Sequence, residues 1–378
     1  MLSEVSLTDL TAFFGLFIAN RSSLSNGSTI FSSLSSKLTT ILRKTNTLAN
    51  ARLNIAAHYD ISNTMFEGFL SEDMTYSCPI WLPISDDKSA TETLESAQER
   101  KLRRFITNAK IKETDHVLEI GTGWGSFAIQ ACRETGCRVT SLTLSKEQKA
   151  LAEERIAAAG FTDKIEILLC DYRALPTPSD GSLYDKVVSI EMLEAVGSEY
   201  LAIYFECIDK LLKQDGGIAV FQCITMPESV RTYRHAKSRK GMLTYSQRYD
   251  VYASTDDFIR KYIFPGGHLP TVTQLLTSAQ KGSQNRLIPD SVENIGPHYA
   301  KTLRLWREKF LVNFDDRIKP SLLQDYNGMT DSDVELFRRK WEYYFCYCEA
   351  GFVSKTLGDV IITFGREGAV DMMADVPI

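Results

Sequence analysis

The sequence predicts an α/β fold built on a mainly parallel sheet. Three observations carry this expectation. Short apolar runs alternate with helical patterns from residue 116 to about 224, and strand, helix, strand at that spacing gives right-handed βαβ units with both sheet faces covered. A glycine cluster, 121–125 (GTGWG), directly follows the first apolar run, where backbone has to turn tightly and approach a ligand closely. The composition is globular, with 44% hydrophobic and 24% charged residues in 378, a length that suggests two or three units or one large domain with additions.

Residues 1–50 stand apart as an extension rich in Ser, Thr and Asn. Leu7, Leu10, Phe13, Phe14, Phe17 and Ile18 recur at helical spacing, so a helix, a Ser/Gly loop and a second helix over about 30–44 are expected. Two readings stay open for this extension: an appendage packed on the main domain, or an amphipathic segment touching a membrane surface. The main domain runs over 51–378. Its strands are expected at 116–120, 138–144, 164–170, 184–190 and 217–224. Helices are expected at 126–135, at 146–159 and at 200–212. Ser145 is the N-cap of the second of these, with Gln148 completing a capping box. The rhythm then breaks: 226–270 reads as an inserted cap, 299–314 and 331–350 as helices, and 357–364 as a reversed last strand.

Charge excludes some partners. With 43 basic and 48 acidic residues the net charge is −5, which argues against a nucleic-acid partner held by bulk positive charge. Glu4 and Asp9 stand where a secretory signal carries positive charge. The apolar run 10–19 is about half a bilayer span. Eight scattered cysteines and five histidines form no metal spacing. Reduced thiols, no metal and a cytoplasmic chain are therefore expected. The average conceals one stretch: 229–249 holds Arg231, Arg234, Lys237, Arg239, Lys240 and Arg248 and no acid. It reads either as a solvated loop or as a basic lip for anionic headgroups, which would make the chain peripheral to a membrane.

Three constellations carry chemistry. The glycine loop has Glu119 inside the strand before it, and its third glycine comes two residues after the second. S-adenosylmethionine-dependent methyltransferases look like this, although dinucleotide enzymes use a similar loop. Upstream, 57–63 (AHYDISN) and 74–79 (MTYSCP) are dense in polar and aromatic groups; they are a helix cap and a turn, or they close over a cofactor. At the end of the fourth strand, 189–197 (SIEMLEAVG) places Glu191 and Glu194 three apart, on one side of a helical turn. An exposed acidic turn is the alternative.

Taken together these segments resemble the cyclopropane-fatty-acyl-phospholipid synthase family, which includes the mycolic acid cyclopropane synthases. The matching stretches include 58–60 (HYD), 74–78 (MTYSC), 118–125 (LEIGTGWG), 142–148 (LTLSKEQ), 170–173 (CDYR), 189–197, 261–270 (KYIFPGGHLP), 298–303 (HYAKTL) and 341–344 (WEYY). They run in order over about 50–365. The resemblance implies a class I methyltransferase fold with a seven-stranded, mostly parallel sheet and a reversed last strand. It implies addition of a methylene from S-adenosylmethionine across a cis double bond of an unsaturated phospholipid acyl chain. The alkene takes the methyl, a carbocation forms, and a bound bicarbonate removes the proton that lets the ring close. Carried over position by position, Cys78, Glu194, Ile224 and Tyr299 match the bicarbonate shell, and Gln222 stands where the family usually has His. Gln donates hydrogen bonds but does not titrate near neutrality. Tyr76, Ser77, Gly121, Gly123, Gly125, Thr143, Gln148 and Tyr172 match the cofactor site. Tyr262, Phe264, Tyr299, Tyr343 and Tyr344 fall in the substrate half, where aromatic faces suit a carbocation. The departures at Gln222 and at Ala195, where the family often has His, leave open a methyl-branched or methylene product; the alternative activity is C- or N-methylation of another lipid or a secondary metabolite. A non-catalytic lipid- or cofactor-binding relative is the remaining alternative. A homodimer is also left open.

Overall fold

The computed structural model describes residues 8–20, 62–175, 181–228, 258–326 and 328–373. The strands are β1 (His116–Ile120), β2 (Arg138–Thr143), β3 (Ile165–Leu169), β4 (Lys186–Ile190), β5 (Ile218–Thr225), β6 (Ile288–Asn294) and β7 (Gly358–Gly365). The main helices are α1 (Leu10–Ala19), α2 (Leu94–Asn108), α3 (Ser126–Thr135), α4 (Lys146–Ala158), α5 (Leu201–Leu211), α6 (Val272–Gly282), α7 (Gly296–Val312) and α8 (Asp331–Val353).

The strands form one sheet in the order β3-β2-β1-β4-β5-β7-β6. β1 to β5 run parallel, and β7 is antiparallel to both of its neighbours. The expected fold class is therefore the observed one. The central strands are buried along most of their length because both faces are covered. Val117 and Val139 point into a core shared with α2, α3, α7 and α8. Leu118, Leu142 and Val187 point into a second core against α5 and α6.

Strand ends fall within two residues of the expected ones. Tyr184 joins the sheet only through a single bridge to Leu212. β6 has no counterpart in the expected elements: it is an edge strand, almost wholly exposed and interrupted by Pro289, so it lacks the alternation that marks a half-buried strand.

α1 packs along α8. Phe14 meets Tyr343 and Tyr347 edge-on at 4.9 and 5.4 Å, and Thr11 donates to Glu349 at 3.1 Å. One face of this helix thus packs on the main domain, while Leu16 and Phe17 remain exposed. The expected second helix at 30–44, the HYD segment and the basic stretch lie outside the described residues. Among the described residues no helix is long and apolar enough to cross a membrane.

Candidate active site

The sheet order reverses between β1 and β4. The helix after β1 covers one face and the helix after β4 covers the other, so a crevice opens above the carboxyl ends of these two strands. A cavity of about 420 Å³ lies there. Gly121 and Gly123 line it with φ of 103° and 52°. A Cβ on Gly121 would meet Met192 at 3.3 Å, whereas one on Gly123 would meet nothing within 4 Å among the described residues. Gly125 does not line the cavity. It caps α3 with φ of 86° and faces Ala152, so its glycine serves the turn into the helix.

The opposite wall comes from α4. Ser145 caps that helix as expected, its Oγ accepting from Gln148 N–H at 3.2 Å. The Gln148 side chain does not complete the expected capping box. It accepts instead from the Thr143 hydroxyl at 2.9 Å, and Thr143 Oγ1 accepts from Ser145 N–H at 3.1 Å. Both side chains thereby line the cavity. Tyr76, Ser77, Glu119 and Tyr172 line it too. Glu119 is buried, accepts from Ser141 Oγ at 2.5 Å and is pushed up to about 8 by burial. These groups suit S-adenosylmethionine: backbone open for close approach, buried polar groups along one wall, and the Tyr172 ring at one end.

At the other end the cavity is apolar and aromatic. Tyr76 and Tyr344 touch through their hydroxyls at 3.1 Å, and Phe264 lies across both rings. Tyr262 and Tyr343, expected in the same half, do not line it: Tyr262 is half exposed, and Tyr343 packs on Phe14 and Phe258. Ile18 of α1 reaches the cavity wall. Both ends of the segment 226–270 are tied down beside the site, through His268 N–H to Glu194 O at 2.8 Å and Met226 N–H to Pro270 O at 3.0 Å.

The expected bicarbonate shell is assembled, but a protein carboxylate closes it. Glu191 Oε1 accepts from Cys78 N–H and from Gln222 Nε2, both at 2.7 Å. Glu191 Oε2 accepts from the Tyr299 hydroxyl at 2.6 Å. Three of the five shell positions thus direct their donors at Glu191. Ile224 N–H donates to Glu194 Oε1 at 2.5 Å. Glu191, Glu194, Ile224 and Tyr299 line the cavity, while Cys78 and Gln222 sit behind the Glu191 carboxylate and do not. A bicarbonate does not fit donors that are already engaged in this way.

Two buried groups that the sequence did not single out complete the cluster. Gln222 Nε2 also donates to Asp359 Oδ2 at 2.7 Å, and Lys101 Nζ donates to Ser77 Oγ at 2.7 Å. Burial pushes Glu191 up, but the Cys78 and Tyr299 donors and the Lys101 charge oppose it. Glu194 is pushed up to about 8 by burial and then by the Glu191 charge. Burial and the same charge hold Asp359 well above the carboxylate range. All three carboxyls are thus raised by burial, and Glu191 is the one whose charged form three hydrogen-bond donors favour against that rise.

The backbone of Glu191 is also unusual. Its φ is 48°, left-handed for a residue with a Cβ. Such a conformation costs roughly 1–2 kcal/mol and clusters at functional sites.

Comparison with known proteins shows the family. The profile of the mycolic acid cyclopropane synthetase family matches residues 46–361. Tuberculostearic acid methyltransferase UfaA1 of Mycobacterium tuberculosis is 40% identical over 320 residues, covering 84% of this chain and 66% of that protein. Cyclopropane-fatty-acyl-phospholipid synthase of Escherichia coli K12 is 31% identical over 309 residues, covering 82% and 66%. The chain thus spans just under two thirds of the length of these curated relatives. The solved mycolic acid cyclopropane synthase CmaA1, complexed with SAH and CTAB, superposes with a TM-score of 0.67 at 25% identity over 83% of this chain and 98% of that one. By profile, relatives and fold, the chain belongs to the mycolic acid cyclopropane synthetase family.

Proposed function

We propose that the chain is an S-adenosylmethionine-dependent C-methyltransferase acting on the cis double bond of an unsaturated phospholipid acyl chain. One observation carries the reading. A single cavity is lined by the glycine loop, by apolar and aromatic side chains, and by a buried carboxylate that accepts from the Tyr299 hydroxyl. The names of the two relatives, a tuberculostearic acid methyltransferase and a cyclopropane-fatty-acyl-phospholipid synthase, support the same chemistry.

Gly121, Gly123, Thr143, Gln148, Tyr76, Ser77 and Tyr172 would hold the cofactor, which supplies an electrophilic methyl group. Tyr76, Phe264, Tyr299 and Tyr344 exclude water and turn π faces toward developing positive charge. The acyl chain would follow Ile18, Ile259, Leu303 and Phe352.

The test is mass spectrometry of lipids from a host producing the chain. Monounsaturated acyl groups are expected to gain one carbon and two hydrogens, the increment of a cyclopropane or methylene product. A gain of one carbon and four hydrogens instead marks a saturated methyl branch. An unchanged lipid profile overturns the reading.

Membrane contact rests on the sequence. The six basic residues between 229 and 249 each contribute about 1 kcal/mol near an anionic surface, and the exposed Leu16 and Phe17 belong to the helix that reaches the cavity. Neutralising the six is expected to weaken binding to anionic vesicles and to abolish its salt dependence, as read by sedimentation. Unchanged, salt-insensitive binding overturns this contact.

A further inference from the structure

We infer that Glu191 is the built-in base of the reaction and replaces the external bicarbonate that the family resemblance implies. The inference rests on the function proposed above. It stands on position: the Glu191 carboxylate occupies the donors of Cys78, Gln222 and Tyr299, and it forms part of the cavity wall. An anion diffusing into the cavity meets this carboxylate before it meets Cys78 or Gln222.

Two further features fit the role. Gln222 stands where the family usually has His, and its Nε2 reaches both Glu191 and Asp359 at 2.7 Å. An amide carries two hydrogens for two acceptors and no titrating charge. It therefore orients the carboxylate without competing for the proton. The left-handed backbone at Glu191 is a conformation that glycine adopts freely. The chain keeps a strained glutamate there instead.

The step balances as follows. The π pair of the double bond forms the bond to the incoming methyl as the sulfur–methyl bond breaks, giving a neutral thioether and a cation on the adjacent acyl carbon. The Glu191 carboxylate takes one proton from the new methyl. The released C–H pair closes onto the cationic carbon and forms the ring. The sulfonium charge ends as one proton on Glu191, which passes to water when the cavity reopens. Lys101, Glu194, Asp359, Cys78 and Tyr299 are the titratable groups around Glu191.

The experiment uses the full chain, S-adenosylmethionine and vesicles of a cis-unsaturated phospholipid, in buffer purged of carbon dioxide and in buffer with added bicarbonate. Wild-type turnover is expected to be equal in both. Glu191→Gln fills the cradle with a group that accepts no proton, and turnover should fall ~10²-fold or more, with cofactor affinity by calorimetry unchanged and no rescue by bicarbonate. Glu191→Gly removes the carboxylate at a backbone position suited to glycine, so folding should survive. Its loss should be relieved by bicarbonate, formate or acetate, a rescue that a merely structural glutamate would not give. A wild type that turns over only with bicarbonate, a Glu191→Gln variant that keeps its rate, or a folded, cofactor-binding Glu191→Gly variant that no anion revives overturns the assignment to Glu191 alone. A wild type that alkylates no lipid in either buffer overturns the functional reading itself.

Discussion

Tyr299→Phe is expected to lower turnover by about 10- to 100-fold, the worth of a hydrogen bond to a charged group, without changing cofactor affinity. The substitution isolates one atom. The Tyr299 ring is buried and stacked on Phe352 at 4.6 Å and 21°, so Phe fills the same space. Only the hydroxyl that donates to Glu191 Oε2 is removed. That hydroxyl keeps its proton, because burial and then the Glu191 charge hold it well above the usual tyrosine value. Losing a donor disfavours the charged form of the carboxylate. Glu191 therefore ionises at higher pH in the variant, and the acid limb of the pH–rate profile moves to higher pH. The neighbouring carboxyls do not mask this. Glu194 and Asp359 are each raised by burial and by charge on Glu191, so a less readily ionised Glu191 relaxes them downward, the opposite direction. A pH–rate profile superposable on the wild type, or a change confined to KM, would show that Tyr299 only packs.

The parts of the molecule that were legible from sequence are those where one physical demand dictates one pattern. Strands buried on both faces are mostly apolar, so β1, β2, β4 and β5 were readable to within two residues. The turn after β1 needs left-handed backbone, so its glycines were readable as well, but not which of them meets a ligand. Gly121, Gly123 and Gly125 all have positive φ, and only the tertiary position of Ala152 separates the third from the other two. Edge strand β6 faces solvent and has no such pattern.

The site was partly legible for the same reason. Cys78, Gln222 and Tyr299 were found through resemblance, yet the expected carboxylate among them was Glu194 and the observed one is Glu191. Spacing put both on one side of a turn. It carried no information about the left-handed residue that swings the first carboxylate into the cradle. Lys101 and Asp359 lie inside α2 and β7 and read as ordinary charged positions. Their burial becomes visible only when the Gln222 amide and the Ser77 hydroxyl are brought beside them.

Trp306→Ala is expected to destabilise the protein by about 3–5 kcal/mol, a large share of the roughly 5–15 kcal/mol that holds a domain folded. Trp306 lies on α7 with no solvent exposure. Its indole is met by Phe69 at 5.9 Å, Tyr76 at 5.2 Å and Tyr299 at 5.9 Å. It thus joins the aromatic core to one side chain of the cofactor wall and to the donor that orients Glu191. Truncation leaves a cavity that α7 and α8 cannot close without moving, since Trp341, Phe310 and Phe345 already pack on one another beyond it. The urea midpoint should fall with an unchanged denaturant slope, and turnover of the folded fraction should fall as Tyr76 and Tyr299 lose their common support. Trp306→Phe separates packing from polarity. The indole N–H is buried without a hydrogen-bond partner among the described residues, so Phe removes that donor while keeping most of the ring contacts. Its midpoint should lie much nearer the wild type than that of the alanine variant. Equal losses in the two variants would mean that the N–H finds a partner in solution and that polar contact, rather than aromatic packing, joins the core to the site.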